Sequence, residues 1–156
     1  MISDDISNTK NQTESLISTN YTSSIRINPP LNIAVLASGI GSNLKAILQS
    51  ISDNKLDARV SIVIVNIKDC GASKLAKRYG IPIRYLDHRD YSSRESYDQV
   101  IVNTLSNYNV EAIVMAGWMR IVSNVLIDNY RSKIINIHPS LLPSFKGTNA
   151  IKQAIE

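Results

Sequence analysis

Asn136 and His138 stand two positions apart in Lys133-Ile-Ile-Asn-Ile-His-Pro-Ser-Leu-Leu-Pro-Ser-Phe-Lys-Gly147, and their types suit an acyl transfer. An amide N–H can donate to an oxygen on which negative charge is building, and an imidazole can carry protons near neutral pH. In a strand, side chains two residues apart leave on the same face, so the pair can converge on one reacting atom. Apart from Asn136, the residues from Ile134 to Ile137 are apolar and β-branched, as a short buried strand requires. Pro139 and Pro143 then forbid regular structure. The pair therefore falls at the carboxyl end of a strand, the edge where open α/β sheets bind ligands. A lone histidine after an apolar strand also serves as a hydrogen-bonded structural residue. A second feature has to support the chemical reading.

That feature is Ser38-Gly39-Ile40-Gly41-Ser42-Asn43. Gly39 and Gly41 permit positive φ and close approach of backbone. The free N–H groups at the start of the following helix, with the Ser42 and Asn43 side chains, make an anion site that suits a phosphate. A plain tight turn is the bland alternative. A dinucleotide-binding turn is the other rival, but Leu44 stands where its third glycine belongs, and the second strand ends at Asn66 rather than an acid.

The elements that must position these groups follow one another as βα units. Strands are predicted at 32–37, 60–65, 83–86, 112–116 and 134–137, and helices at 43–50, 71–79, 93–107 and 123–129. This alternation predicts a mostly parallel, doubly wound, Rossmann-like α/β sheet with helices on both faces. Residues 31–156 make one domain with no internal repeat. Residues 1–30 differ: fourteen of them are Ser, Thr or Asn and Pro29-Pro30 closes the segment, so a disordered polar extension is expected. It has neither the basic start and apolar core of a signal peptide nor the Arg-rich, acid-poor character of a transit peptide. Thr148 to Glu156 reads as the opening turns of a helix, with no cap, glycine or strand after it. The expectation is a domain cut short at its C-terminus.

Composition bounds the rest. The chain has 156 residues, 44% hydrophobic and 19% charged, as expected of a globular domain. No apolar run approaches the ~18 residues of a membrane span. The net charge of +4 rises to +5 for the residues after 30, which suits phosphate or carboxylate ligands. Without a dense Lys/Arg block it gives no reason to expect nucleic acid. Cys70 is the only cysteine, so an internal disulfide is impossible and a reducing, cytoplasmic setting fits. No Cys/His cluster has zinc-ligand spacing, and no metal is expected. Cys70 has no activating neighbour in sequence, His88 lies in a polar loop and is expected in solvent, and Lys74, Lys77 and Arg78 read as the wet face of a helix.

Four separated segments, Ala37-Ser-Gly-Ile-Gly-Ser-Asn-Leu44, Ser93-Arg-Glu95, Ala116-Gly-Trp-Met-Arg-Ile-Val122 and Asn136-Ile-His-Pro-Ser-Leu-Leu-Pro143 with Gly147, together resemble the phosphoribosylglycinamide formyltransferase family in order and spacing. The resemblance runs from Asn32 to Glu156. It implies transfer of a formyl group from 10-formyltetrahydrofolate, as co-substrate, to the amine of glycinamide ribonucleotide in purine biosynthesis, without a metal. It further implies that Gly41, Ser42, Asn43 and Gly147 hold the nucleotide phosphate side, and that Arg94 and Met119, Arg120, Ile121 and Val122 bind folate. Asn136 would contact folate and stabilise the oxyanion, with His138 as the catalytic histidine. Trp118 stands where the family usually has Phe or Tyr. The family's catalytic aspartate, downstream of the histidine, would fall beyond Glu156. The chain by itself is thus expected to bind weakly and to turn over slowly or not at all. Methionyl-tRNA formyltransferase and formyltetrahydrofolate deformylase share the Asn-x-His pair but not the phosphate turn. A non-catalytic remnant, or one piece of a split enzyme, is the reading from another class.

Overall fold

The computed structural model describes residues 28–137. Five strands, β1 (Leu31–Ala37), β2 (Ala58–Val65), β3 (Ile83–Tyr85), β4 (Ala112–Met115) and β5 (Ile134–Asn136), form one sheet in the order β3-β2-β1-β4-β5. Every neighbouring pair is parallel. The chain runs outward from β1 through α1 (Ser42–Ser52) and α2 (Gly71–Arg78) to β3. It then crosses back by α3 (Arg94–Ser106) to β4, and by α4 (Asn124–Asn129) to β5. The strand order reverses between β1 and β4, where an open α/β sheet opens a crevice at its carboxyl edge.

Alternation along the inner strands builds a core on each face. Ile33, Val35 and Ala37 of β1 pack with Leu44, Leu48, Ala72 and Ala76 of α1 and α2. Ala34 and Leu36 pack on the other side with Ile101, Leu105 and Leu126 of α3 and α4. In β2 the parity changes: Ala58 and Val60 face α1 and α2, and so do Val63 and Val65. A register shift, Ile33 opposite Val60 but Ala34 opposite Ile62, absorbs Ser61 as a bulge and keeps the apolar residues on their proper faces. The Ser61 hydroxyl donates to Asn32 Oδ1 at 3.2 Å.

Among the described residues the predicted elements are all present, with ends displaced by a residue or two. β2 starts at Ala58 rather than 60 because the bulge carries its pairing back past Ser61. Residues 87–90, expected as an open polar loop, contain a 3₁₀ turn from His88 to Asp90. Asp87 caps it by accepting the Arg89 N–H at 3.0 Å, and also receives the Arg89 guanidinium and the Tyr85 hydroxyl. The Arg89 side chain and N–H, then Tyr85, hold the Asp87 carboxyl well below the usual carboxylate range. His88 is accordingly half-buried rather than in solvent, with Nδ1 3.8 Å from Asp87 Oδ1. Lys74, Lys77 and Arg78 are exposed, as a wet helix face requires. The polar extension up to residue 27 and the helix expected at 148–156 lie outside the described residues. Among the described residues no helix is long and apolar enough to cross a membrane.

Candidate functional site

The loops after β1 and β4 meet at the switch point. The Ser38 N–H donates to the Gly117 carbonyl at 3.1 Å, and the Ser38 hydroxyl accepts the Met119 N–H at 2.9 Å. One buried serine therefore fixes the Gly39–Asn43 turn against the segment that follows β4. Gly117, at φ 75°, turns that segment out of the sheet plane.

The Gly39–Asn43 turn is built by close backbone packing. Gly41 caps α1 in the left-handed region, at φ 85°, and its carbonyl accepts the Lys45 N–H at 2.9 Å. A Cβ on Gly41 would lie 2.8 Å from the Ala72 Cα. The Ala72 N–H donates to the Gly39 carbonyl at 3.0 Å, so the first turn of α2 braces this loop from behind. No side chain caps α1. Its first N–H groups are left for a ligand, with Ser42 exposed and Asn43 half-buried beside them. At the end of β2, Asn66 is buried where a dinucleotide site would place an acid.

The opposite wall follows β4. Met119 and Ile121 expose 64% and 72% of their surface, while Arg120 and Val122 are half-buried. Trp118 lies beneath, 7% exposed, stacked on Tyr97 at 6.4 Å between ring centroids and 10° between planes. Tyr97 is held by its hydroxyl donating to the Leu86 carbonyl at 3.1 Å and by the edge of Tyr91 at 5.2 Å. Burial pushes the Tyr97 phenol above its ordinary range, so it stays a neutral donor. Trp118 is thus both core and cleft wall.

These walls enclose a cleft of about 870 Å³, lined by the Gly39–Asn43 turn, by Met115–Val122, and by Ile127, Asn136 and Ile137. The volume is that of a pocket for a mid-sized organic ligand. Asn136 pairs in register with Met115, exposed at the carboxyl end of β5. Of the residues singled out from sequence, Gly41, Ser42, Asn43, Met119, Arg120, Ile121, Val122 and Asn136 therefore share one cleft. Arg94 stands outside this lining, exposed at the start of α3, where the Ser93–Ser96 capping box fixes the helix end. His138 and Gly147 lie outside the described residues.

The parts played by Ser38, by Gly71, where a Cβ would strike the Ile40 backbone, and by Ile127 escaped the sequence reading. Ser38 had a signal, a hydroxyl closing an otherwise apolar strand. Gly71 had none, because its importance comes from a neighbour distant in sequence. Ile127, 42% exposed on α4, joins the wall only through the way α4 docks. Among the described residues no group of three or more His, Cys, Asp or Glu gathers to hold a metal.

A family model described as formyl transferase matches residues 31–156. The chain is 42% identical over 124 residues to the human trifunctional purine biosynthetic protein adenosine-3, covering 80% of this chain and 12% of that protein. It is 38% identical over 126 residues to the phosphoribosylglycinamide formyltransferase of Escherichia coli K12, covering 81% of this chain and 59% of the other. The crystal structure of phosphoribosylglycinamide formyltransferase from Bacillus halodurans superposes with a TM-score of 0.76 at 39% identity, covering 80% of this chain and 64% of that one. The chain thus spans less than two thirds of the length of these relatives.

Proposed function

Because the chain belongs to the formyl transferase family, we propose that its cleft transfers a formyl group from 10-formyltetrahydrofolate to the amine of glycinamide ribonucleotide. The observation that carries this reading is the sharing of one cleft by three groups: the Gly41–Asn43 turn, the 119–122 segment and Asn136. A phosphate on the N–H groups of α1 and a ring system against the 119–122 wall bring two substrates together at the end of β5. The names of the E. coli and B. halodurans relatives support the same substrate.

The amine nitrogen bonds to the formyl carbon as the bond from that carbon to the folate nitrogen breaks. Negative charge builds on the formyl oxygen meanwhile, and the Asn136 amide donates to it. One proton leaves the attacking nitrogen and one reaches the departing folate nitrogen. His138, two residues beyond Asn136, is assigned that traffic from its type and spacing. Arg94, exposed at the start of α3, is assigned to the anionic tail of the cofactor. Gly147 is assigned to the nucleotide side. Residues from 31 onward are read as one formyltransferase domain, a reading supported by the family match beginning there. Small polar substrates and a lone Cys70 support a cytoplasmic setting.

The test is a single-turnover assay with the chain in excess over 10-formyltetrahydrofolate, so that slow chemistry is still seen. Tetrahydrofolate is expected to appear only when glycinamide ribonucleotide is present. Release at the same rate without the nucleotide, or no release, contradicts the proposal.

A further inference from the structure

Asp98 is the one charged side chain on the buried stripe of α3, 1% exposed among Tyr97, Ile101, Val102 and Leu105. No cation pairs with it among the described residues. Among the described residues Ser123 supplies its hydrogen bonds: the Ser123 N–H donates to Oδ2 at 2.5 Å, and the hydroxyl donates to the same oxygen at 2.8 Å. Ser123 occupies the cap position of α4, yet its hydroxyl makes no cap bond. A buried carboxylate loses its hydration, and an apolar residue would fill this core position at lower cost. The carboxylate is therefore spent on holding Ser123.

Ser123 directly follows the folate wall. Ser38 anchors the other end of that wall, through the Met119 N–H. Between the two anchors run Met119, Arg120, Ile121 and Val122, with Met119 and Ile121 largely exposed to the cleft. A loop whose middle is presented to a ligand and which makes few core contacts keeps its shape only if both ends are held.

We propose that Asp98 is a positioning residue for the formyl donor: by accepting both donors of Ser123 it pre-shapes the 119–122 wall against which the folate ring system lies. The inference rests on the function assigned above and extends it to a residue that touches neither substrate. It separates the two halves of the cleft. The phosphate turn is braced by α2, through Ala72 and Gly39, and does not depend on Asp98.

Trp118 is the only tryptophan and lies in the cleft wall, so its emission reports binding by each half. In Asp98→Ala, tetrahydrofolate is expected to bind about tenfold or more weakly, the scale of losing hydrogen bonds to a charged group. The Kd for glycinamide ribonucleotide should stay within about twofold, because the turn after β1 is braced from behind by the first turn of α2 and makes no bond to Ser123. Asp98→Asn keeps an acceptor oxygen of the same reach and is expected to restore most of the folate affinity. Ser123→Ala keeps the backbone donor and should lose about threefold, the weaker share of the pair. The latter two variants serve if Asp98→Ala does not fold. Unchanged tetrahydrofolate affinity in a folded Asp98→Ala, or in Ser123→Ala, overturns the proposal. So does an equal loss of both ligands, which marks general softening. If the unsubstituted chain fails to bind tetrahydrofolate, the assigned function falls and the brace with it; undiminished binding in Asp98→Ala or in Ser123→Ala overturns the brace alone.

Discussion

Asn136→Ala lowers the single-turnover rate constant for formyl transfer by about 10²–10³-fold, the cost of losing one donor to a developing oxyanion. The expectation follows from where Asn136 stands. It ends β5 in register with Met115, exposed, in the lining of the cleft that the Gly39–Asn43 turn and the 119–122 wall also line. An exposed side chain at a strand end contributes little to folding, so the melting midpoint should stay within about 2 °C. Binding of glycinamide ribonucleotide should also survive, since the phosphate is held elsewhere. Asn136→Asp is the sharper variant. It keeps shape but substitutes an anion for the N–H donor, and should be at least as damaging. A rate within about threefold of the unsubstituted chain removes Asn136 from the chemistry.

Gly71→Ala is the largest expected effect on folding and on the nucleotide side together. A Cβ at this position would lie 2.3 Å from the Ile40 carbonyl oxygen and 2.6 Å from the Ile40 Cα. Both are backbone atoms, so no side-chain rotation relieves the overlap. Either α2 withdraws from the sheet, opening contacts of the buried Ala72 and Ala76, or the phosphate turn shifts. Overpacking of this kind costs about 2–3 kcal/mol, or roughly 10 °C in melting midpoint for a domain of this size. The turn is also the looser of the two parts, with Ile40 84% exposed. Nucleotide affinity should therefore fall by at least about tenfold even in the folded fraction, because N–H groups displaced by a few tenths of an ångström no longer converge on one phosphate. Thermal melts and nucleotide titration check the two effects separately. A variant that melts and binds like the unsubstituted chain contradicts the packing account.

Much of this was legible in the sequence, for identifiable reasons. β1, β2 and β4 are short apolar runs bounded by Gly or polar residues, and α3 carries Ser93 as a cap followed by a buried stripe. Local composition alone therefore marks them. The Gly39-x-Gly41 turn was legible as a place of positive φ and close backbone approach, and Gly41 stands at φ 85° against Ala72. What escaped depends on contacts between residues far apart in the chain. The bulge at Ser61 exists to reconcile two apolar runs of opposite parity, which becomes visible only once β1 is laid beside β2. Asp98 looks like an ordinary helix-surface acid until α3 docks and turns it toward Ser123. His88 looks solvated until Asp87 is seen capping the 3₁₀ turn and drawing it inward. Arg94 was grouped with the folate residues by resemblance, which composition and spacing alone do not suggest; it is exposed at the start of α3, outside the lining of the cleft.

The central claim is that one cleft holds two substrates at separate ends. Trp118 emission can test it directly in a titration with glycinamide ribonucleotide and with tetrahydrofolate, alone and together. Each ligand is expected to saturate, and each should still bind when the other is present in excess. Inorganic phosphate should displace the nucleotide and leave tetrahydrofolate in place. Mutual exclusion of the two ligands, or displacement of tetrahydrofolate by phosphate, would show that the turn and the 119–122 wall serve a single ligand and contradict the account.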